Sequence, residues 1–174
     1  MRVAAIFSRH PEALAWARDK LTDSFGSISA AMEPFDFVET KFYDASMGQG
    51  IQKQLIAFEQ LTQPDTLVQD KLLANDWEAE YASSANWAEV RPLNIDPGYV
   101  TEAKLVLGTT KDRDHRIHIG QGIFAEVTLF FHRGAWASRP WTYPDYQRPD
   151  VQDFLTRCRL DLRTRLGRRA AESS

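Results

Sequence analysis

Apolar residues open the chain as an unbroken run. Residues 2–8 (RVAAIFS) set valine, alanine, isoleucine and phenylalanine side by side, the pattern of a strand buried on both faces. The period then changes. Pro11 stands where a first helical turn tolerates a missing N–H, and Leu14, Ala17, Leu21 and Phe25 recur at helical spacing. Arg18, Asp19, Lys20 and Asp23 occupy the other side, and Gly26 stops the helix. Strand followed by helix is the expected start.

From residue 32 to 58 the spacing moves toward two. Pro34-Phe35-Asp36-Phe37 and Lys41-Phe42-Tyr43 read as parts of one irregular strand, Ser46-Met47-Gly48-Gln49-Gly50 as its turn, and residues 51–61 as the returning strand, with Gln52, Lys53 and Gln54 leaving a helix open. Pro64-Asp65 opens a second helix, in which Leu73, Trp77 and Tyr81 form an i, i+4, i+8 row with Val68 and Leu72 beside it. Residues 83–86 end it, and a strand follows at 90–95. Asp96-Pro97-Gly98 reads as a turn, with proline fixing φ and glycine supplying a left-handed position. Residues 103–108 read as a short helix or a tight apolar segment.

The clearest hairpin joins residues 115–119 to 123–132 through a three-residue loop, Gly120-Gln121-Gly122. In that register Ile119 opposes Ile123, Ile117 opposes Ala125 and Arg116 opposes Glu126. Ile117, Ile119, Ile123, Ala125, Val127 and Leu129 then turn toward the core. Arg116, His118, Glu126 and Thr128, with Phe124 and Phe130, take the other face. Residues 136–149 form a fixed loop rich in proline and aromatic rings. Val151, Phe154, Leu155, Cys158, Leu162 and Leu166 mark a last amphipathic helix, and residues 167–174 are expected to fray.

Strand, helix, strand, strand, helix, strand is the order of a ferredoxin-like unit. The expected fold is therefore α+β. It is a two-layer sandwich with that ferredoxin-like core, to which a C-terminal β-hairpin and helix are added, in a single domain over residues 1–166. Composition narrows the function classes. A net charge of −3 and a pI near 5.8 provide no global basic field for nucleic acid or an anionic membrane. No apolar run approaches the roughly 20 residues of a membrane helix, and the start of the chain is too briefly apolar for a signal peptide. The single cysteine, Cys158, excludes an internal disulfide and suits a reducing compartment, so the protein is expected to be cytoplasmic.

Candidate chemistry concentrates between residues 94 and 126. Asn94 and Asp96 alternate with Leu93 and Ile95 and share one face of a strand. Thr109-Thr110-Lys111 offers two hydroxyls and an ammonium in a row, and Lys104, Lys111, Arg113 and Arg116 make a basic patch on an acidic protein. Arg116 opposite Glu126 keeps that carboxylate ionised. The expected site is Asn94, Asp96, Lys104, Thr110, Lys111, His115, Arg116 and Glu126, taking a small phosphorylated or carboxylated molecule, nucleotides included. His115 and His118 do not have a common zinc spacing, and there is no G-x-S-x-G nucleophile turn or G-x-x-x-x-G-K-[ST] phosphate loop. No metal, cofactor or catalytic residue is assigned, and Cys158 sits on an apolar helix stripe as a core residue. The alternative is an interaction module, RNA-associated, using the aromatic loop at 136–145 and Arg157, Arg159, Arg163, Arg165, Arg168 and Arg169.

Several strings together resemble one bacterial family. They are Asn94-Ile95-Asp96-Pro97-Gly98-Tyr99, Thr109-Thr110-Lys111-Asp112, His115-Arg116-Ile117, Gly122-Ile123-Phe124-Ala125-Glu126-Val127-Thr128-Leu129 and Pro140-Trp141-Thr142-Tyr143-Pro144-Asp145. Phe35-Asp36-Phe37 and Met47-Gly48 extend the likeness over most of the chain. The family is the one catalogued as domain of unknown function 4416. The resemblance implies no activity, cofactor or catalytic residue. The GTP-binding label some members carry finds no phosphate loop here, and Thr110-Lys111-Asp112 places its aspartate one residue too early for a guanine-reading motif.

Overall fold

A computed structural model describes residues 1–38 and 43–172, with the backbone alone for residues 169–172. Strand β1 (Arg2–Ser8) is buried along its whole length because it has a neighbour on each side. It pairs antiparallel with β4 (Gln52–Phe58) through Ala5↔Leu55, and with β5 (Asn94–Val100) through Ile6↔Ile95. Beyond β4 lie β2 (Ile28–Ala31) and the short β3 (Phe35–Asp36). Beyond β5 come β6 (Lys104–Thr109), then β8 (Ile123–His132), which carries β7 (Ile117–Gly120) and β9 (Ala135–Ser138). Among the described residues these make one antiparallel sheet in the order β2-β4-β1-β5-β6-β8-β7. The expected strand containing Lys41 and Phe42 falls on positions outside the described residues.

Alternation along β1 divides the core in two, because successive side chains leave opposite faces of a strand. Ala4 and Ile6 meet α1 (Pro11–Phe25) and α3 (Leu67–Ser83), with Phe25, Ala74, Trp77 and Ile95 among them. Val3 and Ala5 turn the other way, onto Phe154, Leu155 and Cys158 of α4 (Pro149–Glu172). The sheet is therefore sandwiched between helices, three layers instead of the two expected. Both faces of a central strand this apolar demand cover, and α4 supplies the second. That helix continues through Gly167 to Glu172, past the position where fraying was expected.

Three further expectations change. Asp96-Pro97-Gly98 is not a turn but the middle of β5, which begins at Asn94, while residues 90–93 are loop. Gly98 has no positive φ. It is glycine because β6 crosses so near that a Cβ would overlap the Val106 carbonyl oxygen and come within 2.7 Å of Leu107 Cδ2. Residues 104–109 are strand, not helix. At 46–50, a single helical turn, α2 (Asp44–Met47), precedes glycines at positive φ (Gly48 76°, Gly50 74°).

The hairpin holds with a different turn. Gln121 (φ 51°) and Gly122 (φ 74°) form a two-residue connection, so Gly120, not Ile119, opposes Ile123. A bulge at Ile119 absorbs the extra residue and restores Ile117↔Ala125, as expected. Burial does not divide its faces as expected. Ile123 and Leu129 are buried, as expected, but Ile117 is 72% exposed on the outermost strand, whereas Glu126 is only 4% exposed. The polar face of β8 is enclosed as well.

Gly98→Ala tests the close crossing of β5 and β6. Because the obstructing atom is a backbone oxygen that no rotamer change can move, the substitution should cost about 1 to 3 kcal/mol or more in urea unfolding.

Candidate functional site

The site begins where two strands part. β5 and β6 pair only from Gly98↔Leu107 to Val100↔Leu105, so residues 94–97 of β5 have β1 on one side and no strand on the other. The uncovered backbone is met by α3. Glu78 Oε1 accepts from the Ile95 N–H (2.9 Å), and Lys71 Nζ donates to the Ile95 carbonyl (2.7 Å). Lys71 and Glu78 stand seven residues apart, two helical turns on one face. Ile95 therefore turns both its polar groups away from β1, and by alternation Pro97 would turn its N–H the same way. Proline has none, so nothing is left unpaired there.

Between the parted strands lies a cavity of about 330 Å³, within the usual size for a small-molecule site. One part of its wall is aromatic, with Phe7, Phe37, Tyr43, Tyr143 and Tyr146. The remainder is charged, and each carboxylate is held by a cation. Asp145 pairs with Lys53 at 2.5 Å, Asp96 with Lys71 at 3.1 Å, and Glu126 with Arg116 at 2.8 Å. Glu78 is shared by Lys71 (3.4 Å) and Arg91 (3.2 Å). Arg91 also donates to Asn94 Oδ1.

The neighbours decide how these groups titrate. Burial by itself would raise the Asp96 carboxyl, but the Lys71 and Lys53 ammoniums outweigh it and hold it below its ordinary range. For Lys71, burial opposes the charge and is overcome by Asp96 and Glu78, so its value is raised. Lys111 is the reverse: burial first, then Arg91, pushes it down, with Arg116 and Arg113 adding to the effect. Asp96 opposes them, so Lys111 stands among three guanidiniums and one carboxylate.

Lys53 is buried on β4 amid rings, its Nζ 4.2 Å from the Tyr146 centroid, 5.0 Å from Phe37 and 5.3 Å from Phe7. Burial drives the Tyr146 phenol well above its normal range, so it remains an O–H donor. That hydroxyl is buried with no hydrogen-bond partner among the described residues, whereas the Asn94 amide helps Lys71 hold the Asp96 carboxyl down.

Of the residues expected at the site, Asn94, Asp96, Thr110, Lys111, Arg116 and Glu126 line the cavity. His115 stands behind the wall, its Nε2 3.1 Å from Glu126 Oε2. Lys104 does not belong. It opens β6 opposite Phe130, five residues from Thr109, or roughly 16 Å along an extended strand. Lys53, Lys71, Glu78, Arg91, Asp145 and Tyr146 were missed. The only local signal was a lysine and a glutamate at helical spacing on the face of α3 that also carries Ala74 and Trp77.

The aromatic loop packs on β8. Trp141 Nε1 donates to the Val127 carbonyl (3.0 Å) and Thr142 Oγ1 to the Thr128 carbonyl (2.6 Å), which delivers Tyr143, Asp145 and Tyr146 to the cavity. Among the described residues no group of three or more His, Cys, Asp or Glu is placed to hold a metal ion, and no helix is long and apolar enough to cross a membrane. A family model described as Domain of unknown function (DUF4416) matches residues 1–161. No curated protein and no solved structure matches the chain.

Lys71→Met should destabilise the fold by about 3 to 5 kcal/mol, since it leaves two carboxylates and a carbonyl without their buried cation. The deficit should be flat at neutral pH and shrink at both ends. Asp96 has a depressed folded value, so its contribution is present above about pH 4 and lost as pH falls through that value. Lys71 has a raised one, so its contribution is present below its ordinary 10.5 and lost as pH rises through the folded value. Urea unfolding of both proteins from pH 2 to 11 measures this.

Proposed function

The chain belongs to the DUF4416 family, a membership that names no reaction, and we propose from the cavity that it binds a small, acceptor-rich anion, phosphorylated or carboxylated, nucleotides included. The observation that carries this reading is an orphaned donor. Tyr146 Oη belongs to a cavity-lining residue that is almost wholly buried, and it has no hydrogen-bond partner among the described residues. Leaving such a group unmet costs about 1 to 3 kcal/mol, which a ligand rich in acceptors recovers on binding. Three guanidiniums against one carboxylate around Lys111 favour an anion over a neutral molecule, and the aromatic wall suits a ligand with an apolar or planar part.

The RNA-associated alternative has less support. Arg159 lies 3.7 Å over the Phe131 ring and donates to the Glu102 carbonyl, Arg163 pairs with Glu102, and Arg165 pairs with Asp161 and donates to the Glu59 carbonyl. These cations hold α4 to the sheet's loops. The order β2-β4-β1-β5, with α1 and α3 on one face, supports reading the N-terminal part as a ferredoxin-like unit. The acidic balance and single cysteine support a cytoplasmic protein.

Thermal shift and calorimetry with phenyl phosphate, nucleoside mono- and triphosphates and small carboxylates test the proposal. At least one of these anions should raise Tm in a concentration-dependent way. Tyr146→Phe should leave the empty protein as stable or slightly more so, because it removes an unmet hydroxyl, yet weaken the anion about tenfold. Lys111→Ala should weaken it similarly. If no anion shifts Tm, or both variants bind as the wild type does, the reading fails.

A further inference from the structure

His115 stands behind the wall of the cavity, between two carboxylates. Its Nε2 lies 3.1 Å from Glu126 Oε2, and its Nδ1 lies 3.0 Å from Asp114 Oδ1. Glu126 faces the cavity and is nearly inaccessible, whereas the Asp114 side chain is 97% exposed. The imidazole therefore bridges the cavity wall to bulk water. Its plane is held by Trp141, stacked at 4.9 Å and 12°, and the indole is in turn held by its bond to the Val127 carbonyl. The other groups on Glu126 are Arg116 Nε, on the same oxygen at 2.8 Å, and the Thr128 hydroxyl on Oε1 at 3.3 Å. Arg116 also donates to the Lys111 carbonyl (2.9 Å), which ties this cluster to the loop bearing Lys111.

A neutral imidazole has one N–H and can donate to only one of its two carboxylates; an imidazolium donates to both. Resting on the anion-binding reading above, we propose that the cavity takes up a proton together with its anion, and that His115 receives it. An anion in the cavity stands beside the Glu126 carboxylate and adds negative charge one hydrogen bond away from His115. Arg116 is already engaged with Glu126, so the adjustable charge is the imidazole. The proton comes from solvent on the Asp114 side and adds to the free lone pair of the ring, with no other bond made or broken. Because binding favours the charged ring, its midpoint rises in the complex. Affinity is then greatest below the midpoint of the free ring and falls as pH rises through that of the complex, by about tenfold in all for a rise of one unit.

Calorimetry of the full chain near pH 7, in buffers of different ionisation enthalpy, tests this with phenyl phosphate and with benzoate. The two arms separate a phosphoryl from a carboxyl ligand. The observed enthalpy should vary with the buffer and report up to about half a proton taken up per anion bound, the most that a one-unit rise of the midpoint allows. His115→Gln, whose amide can still bond Glu126 but cannot titrate, should bind with little or no proton uptake. On the unmodified protein, saturation with the better-binding probe should raise the NMR titration midpoint of the His115 ring by about one pH unit. Binding without any buffer dependence, uptake undiminished in His115→Gln, or an unmoved His115 midpoint overturns the inference and leaves the anion site standing. Absence of binding by both probes overturns the proton coupling and the anion site together.

Discussion

Where a sheet opens, the backbone it uncovers must find other partners, and here that falls to the ammonium of Lys71. It donates to the Ile95 carbonyl at 2.7 Å, faces Asp96 at 3.1 Å and reaches Glu78 at 3.4 Å. Glu78 returns from the same helix to accept the Ile95 N–H. Two side chains thus take the place of a missing strand. They let β5 and β6 separate beyond Gly98↔Leu107 without unmet polar groups along that edge. Pro97, whose missing donor falls on the same side, fits the arrangement. The cavity exists because α3 carries a charged pair on a face otherwise given to core residues such as Ala74 and Trp77.

The remaining ion pairs draw distant parts of the chain around that opening. Lys53 on β4 holds Asp145, which precedes α4, and Arg116 before β7 holds Glu126 on β8. Charges this deeply buried are tolerable only when paired and hydrogen-bonded, and each lining carboxylate meets that condition. What stays unmet on that wall among the described residues is the Tyr146 hydroxyl. A wall whose carboxylates are engaged and whose buried O–H is not favours a molecule that brings acceptors and negative charge.

The aromatic residues divide into two kinds of work. Trp136 is core, packed edge-on against Phe131 beneath α4, and Trp141 is a strut that fixes both the loop and the His115 ring. Tyr143 and Tyr146, beyond that strut, reach the cavity. A loop read from its prolines and rings as fixed therefore also carries part of the wall, because anchoring Trp141 and Thr142 to β8 sets the position of the next few residues.

Local pattern determined a good deal. Six successive apolar or small residues, Val3 to Ser8, announced a central strand, proline and glycine framed α1, and the glycine-flanked hairpin brought Arg116 to Glu126. Asn94, Asp96, Thr110 and Lys111 were legible because polar variety so dense has no use in a core. Alternation along β8 separated its two faces but not which one is buried. That depends on what packs there, so Ile117 was assigned inward and lies exposed while Glu126 is enclosed. Gly98 could be read as a turn because nothing nearby in sequence shows that β6 crosses it. The pairs Lys53–Asp145 and Lys71–Asp96 join residues 92 and 25 positions apart, and no period of two or 3.6 encodes such partners. Only the tertiary structure, by bringing a helix and a C-terminal turn onto parted strands, decided which charges would meet and where a cavity would remain.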